Sequence, residues 1–493
     1  MRIAFIIVTF LSLAACTKQN PNVCCTSTAD CAAQGLPDIT GCGGGLVCRG
    51  NQCIAETCAA STDCDAAAKY CINQSCAEMC TDDAQCPGFG QPATDQFCVA
   101  GACVACRATS DCPASASVCD MGTCRGCTSH ADCASDLCDL DTGACVAETT
   151  IAYVTTGGST TSGCTKSDPC QIQRAFAVID STRNAIKLGP GTHTYLGTDP
   201  TVFSPLILSG SKTATLFGPA SLEASLSVSD GATLRARDIT LTDSDPMNRD
   251  MRLLCRPVAI GGPMSYVDFA RVETNDFPLG GAPCVMKVQR SRLHAVYNAA
   301  FDLLAVDGEV AGMLGATINR GSILTVDQTE FNGGYAGMDL QHYSSLQATN
   351  SVFRNQGMHG AIFVGINVAT SSVQFSTFHN TFWGCPNGTP VFSSKDNLFL
   401  NEIAGAPANT VYGTQCVHTY DLVKPQTATP AGSNNTLGMD PRFKDALTGD
   451  FHLLAGSPAI DTADPAASET IDFDGTSRPQ GAHRDVGAFE YKP

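Results

Sequence analysis

Twenty-nine cysteines stand in this sequence of 493 residues, and their spacing is the first feature capable of chemistry. Thiolates bind zinc, and Cys103-x2-Cys106 and Cys124-x2-Cys127 have the spacing of zinc ligands. In an oxidising compartment the same thiols form disulfides. Twenty-three cysteines lie at or before Cys145, and from Cys25 they follow one grammar: C-x5-C, a variable gap, then usually C-x4-C. Five units begin at Cys25, Cys58, Cys80, Cys106 and Cys127, with Cys24 and Cys42 left over in the first. Asp30, Asp63, Asp111 and Asp132 precede the second cysteine of their units, where the remaining unit has Gln85. The short zinc-like pairs fall at unit junctions and His130 is the block's one other soft ligand, so disulfides are the expected state. Asp472 and Asp474 offer oxygens to Ca²⁺, but the twelve-residue loop with its terminal Glu is absent, and turn formation is the competing role. No other cofactor is expected. The sequence contains no phosphate-cradling P-loop, no His-Glu-x-x-His pair and no Gly-x-Ser-x-Gly elbow.

The elements that position these residues divide at about residue 148. Units recurring every 21 to 33 residues are too short to bury a core, so covalent staples must order them. A disulfide closing a loop of about 15 residues contributes about 3 kcal/mol in the chain-entropy model. Two per unit suffice, in any of three connectivities. The formal charge of −18, with only 29 Lys and Arg, excludes a phosphate-neutralising surface, so no nucleic-acid partner is expected. Ahead of the units, Arg2 precedes an apolar run from Ile3 to Ala15. As a helix that run reaches about 20 Å, short of a hydrocarbon core of about 30 Å, and it reads as a secretory signal. Its end, Leu13-Ala14-Ala15-Cys16, resembles a bacterial lipobox. That resemblance implies cleavage before Cys16, diacylation of its thiol and a lipid bilayer as partner, with an ordinary secretion signal as the alternative. Lys18 is not the aspartate associated with inner-membrane retention, which implies the outer membrane or cell surface. Two acyl chains give stable anchoring. The resulting map is a signal peptide at 1–15, a lipidated N-terminus and linker at 16–23, and the cysteine region at 24–147. The cysteine units resemble, in spacing, the repeats of myxobacterial-type lipoproteins, which implies a spacer or binding stalk.

Beyond 148 the composition turns to Thr, Ser, Gly, Val, Leu and Asn. Ile151 to Val154 reads as a strand, and Ile172, Ala175, Phe176 and Ile179 make one helical stripe. Tyr153-Val154, Cys164, Cys170 and Gly189-Pro190-Gly191 together resemble the N-terminal cap of right-handed parallel β-helix proteins of the pectate-lyase-like class. Periodicity points the same way. Phe331, Phe353, Phe378 and Phe399 recur at 22, 25 and 21 residues, with Thr329, Ser351, Ser376 and Asn397 two positions earlier and Asn355, Asn380 and Asn401 two later. Stacked coils of that length would align the phenylalanines as one internal ladder and the asparagines as another. Val272 and Leu293 are expected in the phenylalanine ladder, and 293–331 does not align. The fold class expected is all-β, a right-handed parallel β-helix over 148–439 preceded by a disulfide-rich, loop-dominated repeat region. A β-sandwich with accidental spacing is the alternative.

The end of the chain carries Asp440-Pro-x-Phe443, Gly449-Asp-Phe-His-Leu453, Gly456-Ser-Pro-Ala-Ile-Asp461, Asp472-Phe-Asp-Gly475, Arg478-Pro479 and Asp485-Val-Gly-Ala-Phe-Glu490. In that order they resemble the closing segment of choice-of-anchor Q domain proteins, surface β-helix proteins with varied anchors. The resemblance implies that 440–493 closes the open end of the stack, whose edge strand would otherwise invite pairing. Enzymes of the β-helix class use surface clusters of Asp, Arg and Lys, sometimes with Ca²⁺. Here Arg290, Arg292, Asp302, Asp327, Asp339, His342 and His359 are the residues available. Gly357-Met-His-Gly360 resembles the Gly-His-Gly element of polygalacturonases, but the paired aspartates and the Arg-x-Lys that accompany it are missing. Asp339 and His359 are therefore the catalytic candidates for a polysaccharide lyase or hydrolase. The preferred expectation is a non-catalytic surface lipoprotein presenting a β-helix to glycan, matrix or another cell. Six late cysteines allow the pairs Cys164–Cys170, Cys255–Cys284 and Cys385–Cys416. Acyl labelling tests the anchor: Cys16→Ala is expected to abolish lipid incorporation.

Overall fold

The computed structural model describes short strands between 46 and 78, residue 83, most of 97–195, the strand-bearing stretches between 200 and 400, then 416–424 and 432–493. Cys16 and the rest of the leader lie outside the described residues. The chain divides into two compact units, Met1–Cys145 and Val146–Pro493.

In the first unit every repeat ends in an antiparallel hairpin that sets its third and fourth cysteines opposite each other: Cys48 and Cys53, Cys71 and Cys76, Cys98 and Cys103, Cys119 and Cys124, Cys138 and Cys145. In the two repeats whose bridges are described, they do not bond across the hairpin. Where both bridges are described, connectivity is first to third and second to fourth: Cys106–Cys119 with Cys112–Cys124, and Cys127–Cys138 with Cys133–Cys145. Each zinc-like pair is thereby split between bridges of its own, so Cys106, Cys124 and Cys127 have no free thiolate to give a metal. The recurrent aspartate closes a 3₁₀ turn. Asp111 accepts the backbone N–H groups of Arg107 and Ala108 at 2.8 and 2.9 Å, and Asp132 those of Thr128 and Ser129 at 2.8 and 3.1 Å. Those amides hold both carboxyls below the usual carboxylate range. His130 is buried and accepts the Cys138 N–H at 3.1 Å.

The second unit is a parallel β-helix. First strands of successive coils, among them Ala185–Leu188, Leu206–Ser209, Cys284–Gln289, Ile323–Asp327, Ser345–Thr349, Ser371–Gln374 and Phe392–Lys395, pair in parallel without slippage. After two corner residues a second strand follows, as in Arg292–His294, Glu330–Asn332, Val352–Arg354, Thr377–His379 and Leu398–Leu400. A third forms a separate sheet of eight strands that includes Leu253–Cys255, Leu304–Val306, Ala336–Leu340 and Gly360–Val364. Connections of this kind take the right hand. At the N-terminal end the helix Ile172–Val178 buries Ile172 and Ala175 against the first coils, and a disulfide joins Cys164 to Cys170. A second disulfide, Cys255–Cys284, ties the third strand of one coil to the first strand two coils on, across the coil that holds Ser265–Asn275 and Leu279–Gly281. Cys385 and the side chain of Cys416 lie outside the described residues.

Stacking at strand spacing forces like onto like. Phe331, Phe353, Phe378 and Phe399 stack with centroids 4.8, 4.9 and 4.6 Å apart and planes within 10°. Leu293 sits below Phe331 in this ladder, and the residue beneath Leu293 is Thr274. Val272 pairs with Ile239 instead, so the expectation for Val272 is corrected. The stretch 293–331 resisted alignment because it carries an extra antiparallel pair, Gly308–Val310 with Asn319–Gly321, within one enlarged coil. Asn380 Nδ2 donates to Asn355 Oδ1 at 3.0 Å and Asn355 Nδ2 to Asn332 Oδ1 at 2.9 Å, both turn asparagines having φ near +50 to +60°. Asn401 lies outside the described residues.

The column two residues before the phenylalanines is a backbone clamp. Ser351, Ser376, Asn397, Asp421 and Asn435 each use a side-chain oxygen to accept a backbone N–H from the coil below. Each thus satisfies a buried amide that the corner removes from the ladder. The corner residues themselves, from Asp238 through Arg290, Gln328, Asn350, Phe375 and Asp396 to Asn434, all adopt φ between +45 and +60°.

The segment 440–493 is expected to close the open end of the stack, but its described contacts run along the side. Gln328 Nε2 donates to the carbonyls of Asp472 and Phe473 at 2.8 and 3.0 Å. Thr377 Oγ1 accepts the Ala488 N–H at 3.0 Å, and Phe451 and Phe489 pack on Val352. It is a lateral strap over the corner column. For the ladder, Phe353→Ala is expected to destabilise this unit by about 3–5 kcal/mol in denaturant unfolding, since the ring is fully buried between two others. Phe353→Leu is expected to cost clearly less.

Candidate functional site: the polar flank and its charged corner

Alternation fixes what the first strands present. In Ile323–Asp327 the side chains of Leu324 and Val326 are buried while Thr325 and Asp327 point outward. Ser345–Thr349 buries Leu346 and Ala348 and turns out Gln347 and Thr349, and Ser371–Gln374 buries Val373 and turns out Ser372 and Gln374. In-register stacking aligns these into two outer columns. One runs Lys287, Thr325, Gln347, Ser372, Ser393, and the other Gln289, Asp327, Thr349, Gln374, Lys395. From Thr325 to Ser393 the first column is hydroxyl and amide, and Val417 takes the next place above.

The described charges along and beside these columns, Lys287 apart, are engaged by side chains of neighbouring coils or of the strap. Asp327 Oδ1 accepts Thr349 Oγ1 at 2.9 Å and Asn350 Nδ2 at 3.2 Å. Arg290 Nε donates to Gln328 Oε1 at 3.1 Å. Arg292 Nε and Arg354 Nε each lie 2.7 Å from one oxygen of Glu330, so one carboxylate joins three coils. Lys395 Nζ sits 2.6 Å from Asp464 of the strap, which holds the Asp464 carboxyl low. Two further pairs that spacing did not disclose brace the earlier coils. Arg237 bonds Asp268 at 2.7 Å, and Arg271 grips both oxygens of Asp238 at 2.7 and 3.0 Å. The signal was there in Arg237-Asp238 and Asp268-x2-Arg271, one coil apart, but pairing them requires knowing the register.

Asp339 does not join this flank. It lies in the third-strand sheet, registered between Ala305 and Phe363, and its side chain is outside the described residues. Asp302, His342 and His359 also lie outside them. Of the two Ca²⁺ candidates, Asp472 has both oxygens committed to backbone: Oδ1 accepts the N–H groups of Asp474 and Thr476, and Oδ2 that of Glu490. Asp474 instead faces His452, whose Nε2 is 2.7 Å away while Nδ1 meets Asp450 at 2.5 Å. The Asp474 hydrogen bond, helped by Asp450 against partial burial, raises the His452 pKa. These carboxylates are turn and bridge formers, and the chemistry of this donor set does not fit a Ca²⁺ cage.

With this geometry in hand, comparison with known proteins gives likeness of fold alone. No family model matches the chain, and no curated protein matches it. Among solved structures the chain is similar to the pectate lyase Pel9A, at 15% identity and TM-score 0.46, over 70% of this chain and 98% of that one. It is also similar to the alginate lyase AlyGC of family PL6, at 10% identity and TM-score 0.35, over 59% of this chain and 40% of that one. The complex of XylC with xylose matches at 8% identity and TM-score 0.36, over 69% and 98%.

Beneath the strap, Arg478 and Glu490 form a fully buried ion pair at 2.9 Å. Arg478 also donates to the carbonyls of Asp485 and Gly487 at 2.9 and 2.8 Å and lies 4.7 Å over the Phe375 ring. Burial lowers its pKa against the pull of Glu490. Removing one partner strands the other charge, so Glu490→Gln is expected to cost about 3–5 kcal/mol by chemical denaturation.

Proposed function

We propose that this chain is a surface lipoprotein, held in the outer membrane by acylated Cys16, whose β-helix presents the polar flank as a non-catalytic face for a polysaccharide or other cell-surface glycan. The observation that carries the reading is the pair of outer columns. They repeat hydroxyl and amide groups at the strand spacing, the recurring hydrogen-bonding surface that a chain of repeating sugars matches. The charged residues that catalysis would recruit, Arg290, Arg292 and Asp327, are engaged in bonds that hold coil to coil. Anchoring is supported by Leu13-Ala14-Ala15-Cys16. Among the described residues no helix is long and apolar enough to cross a membrane.

Acidic and neutral polysaccharides offered to the full-length chain test this reading. Saturable binding is expected, with no release of reducing or unsaturated ends. The double variant Gln347→Ala, Gln374→Ala is expected to weaken binding at least about tenfold with an unchanged melting temperature, since both side chains are on the surface. Chain cleavage that disappears in Asp339→Ala or His359→Ala would instead establish a lyase or hydrolase.

A further inference from the structure

The strap meets the β-helix at one corner residue in a way that differs from its other contacts. Asp396 occupies the corner between Phe392–Lys395 and Leu398–Leu400 with φ +56° and is fully buried. Its carbonyl accepts the Gly487 N–H at 2.9 Å, and its Oδ1 accepts the Asp464 N–H at 2.6 Å. Its Oδ2 is buried with no donor. Leaving a carboxylate oxygen so placed is costly unless the group is neutral. The surroundings favour that form. Lys395, the adjacent cation, lies against Asp464, while the carboxylates of Asp464 on the strap and Asp421 in the next coil both face Asp396. His418 is turned to Asp421, 2.7 Å away.

We infer that the strap 440–493 is a pH-sensitive latch, gripping the corner column more tightly as the surroundings acidify from neutral, with Asp396 as its proton-binding contact. Burial raises the Asp396 carboxyl to about 7, against the Asp464 amide and Lys395. Within the strap, burial likewise raises Asp485 to about 6, opposed by the N–H groups of Asp461 and Tyr491 that it accepts at 2.7 and 2.6 Å; Glu490 adds to the rise and Arg478 opposes it. The sign follows from linkage. Between the ordinary Asp value of about 3.9 and the raised value, the docked form holds a proton that the undocked form has lost. The Asp396 contribution to docking is therefore fully present below about pH 4 and is lost as pH rises through 7, while the Asp464–Lys395 pair, whose carboxyl is held low, weakens only on acidification below the ordinary carboxylate range. His452 works in the same direction, because its charged bridge to Asp450 and Asp474 is lost on deprotonation.

Amide hydrogen exchange of the full-length chain, corrected for intrinsic rates, tests the latch. Protection of the Asp464 and Gly487 amides is expected to be at least about tenfold higher at pH 5.5 than at pH 7.5, while amides of Ser345–Thr349 keep theirs. Asp396→Asn copies the neutral acid, tolerates the corner conformation and keeps the acceptor for Asp464. It is expected to hold the strap at pH 7.5 and to show about tenfold less pH sensitivity. Equal sensitivity in the variant, or none in the parent, overturns the inference. Carboxyl titration of the parent chain decides independently of whether the variant folds: a midpoint for Asp396 near 7 is the expected result, and one below 5 contradicts it.

Discussion

The whole second unit depends on a single constraint, the lock-step register of parallel strands. Once coils stack at the strand spacing, every residue is confronted by its counterpart one coil away, and only types that tolerate self-contact survive in a column. Flat rings satisfy this inside, as Phe331 to Phe399 do with planes nearly parallel. Small hydroxyls and amides satisfy it at the corner, where each caps an amide below. Charges cannot stack on themselves, so they alternate. Glu273, Arg292 and Glu330 occupy one column in that order.

This constraint also underlies the proposal that the flank is a binding surface. A catalytic cluster needs charged groups of differing roles drawn to one point and left with unspent bonding capacity. Among the described residues near Glu330, Arg290, Arg292, Asp327 and Arg354 are consumed in cohesion, and apart from Lys287 what remains outward there is repetitive, polar and uncharged. The covalent staples of the first unit solve the opposite problem. Its last two repeats bury only a small cluster of Val118, Cys127, Cys133 and Cys138, and two bridges and an aspartate-closed turn supply what packing does not.

Legibility in the sequence followed the same physics. Phenylalanine and asparagine ladders were visible because they recur at coil length, and the disulfide grammar because cysteine is rare enough for spacing to carry meaning. The connectivity of the bridges was not legible, since three choices satisfy the same spacing. The alignment between 293 and 331 is hidden by the insertion at 308–321, and Val272 stands two residues before the ladder position, which Thr274 fills. The strap was misassigned to the end of the stack because composition announces turns without saying what they dock against. The Arg–Asp braces at 237–238 and 268–271 lay in plain sight but gain meaning only from the register.

Differential hydrogen exchange with a bound oligosaccharide tests the central claim most directly, because it reports where a glycan lies and whether it remains whole. The account predicts new protection confined to Ile323–Asp327, Ser345–Thr349 and Ser371–Gln374, with the oligosaccharide recovered intact. Protection centred on 357–360 and Ala336–Leu340, with shortened sugar products, would contradict it.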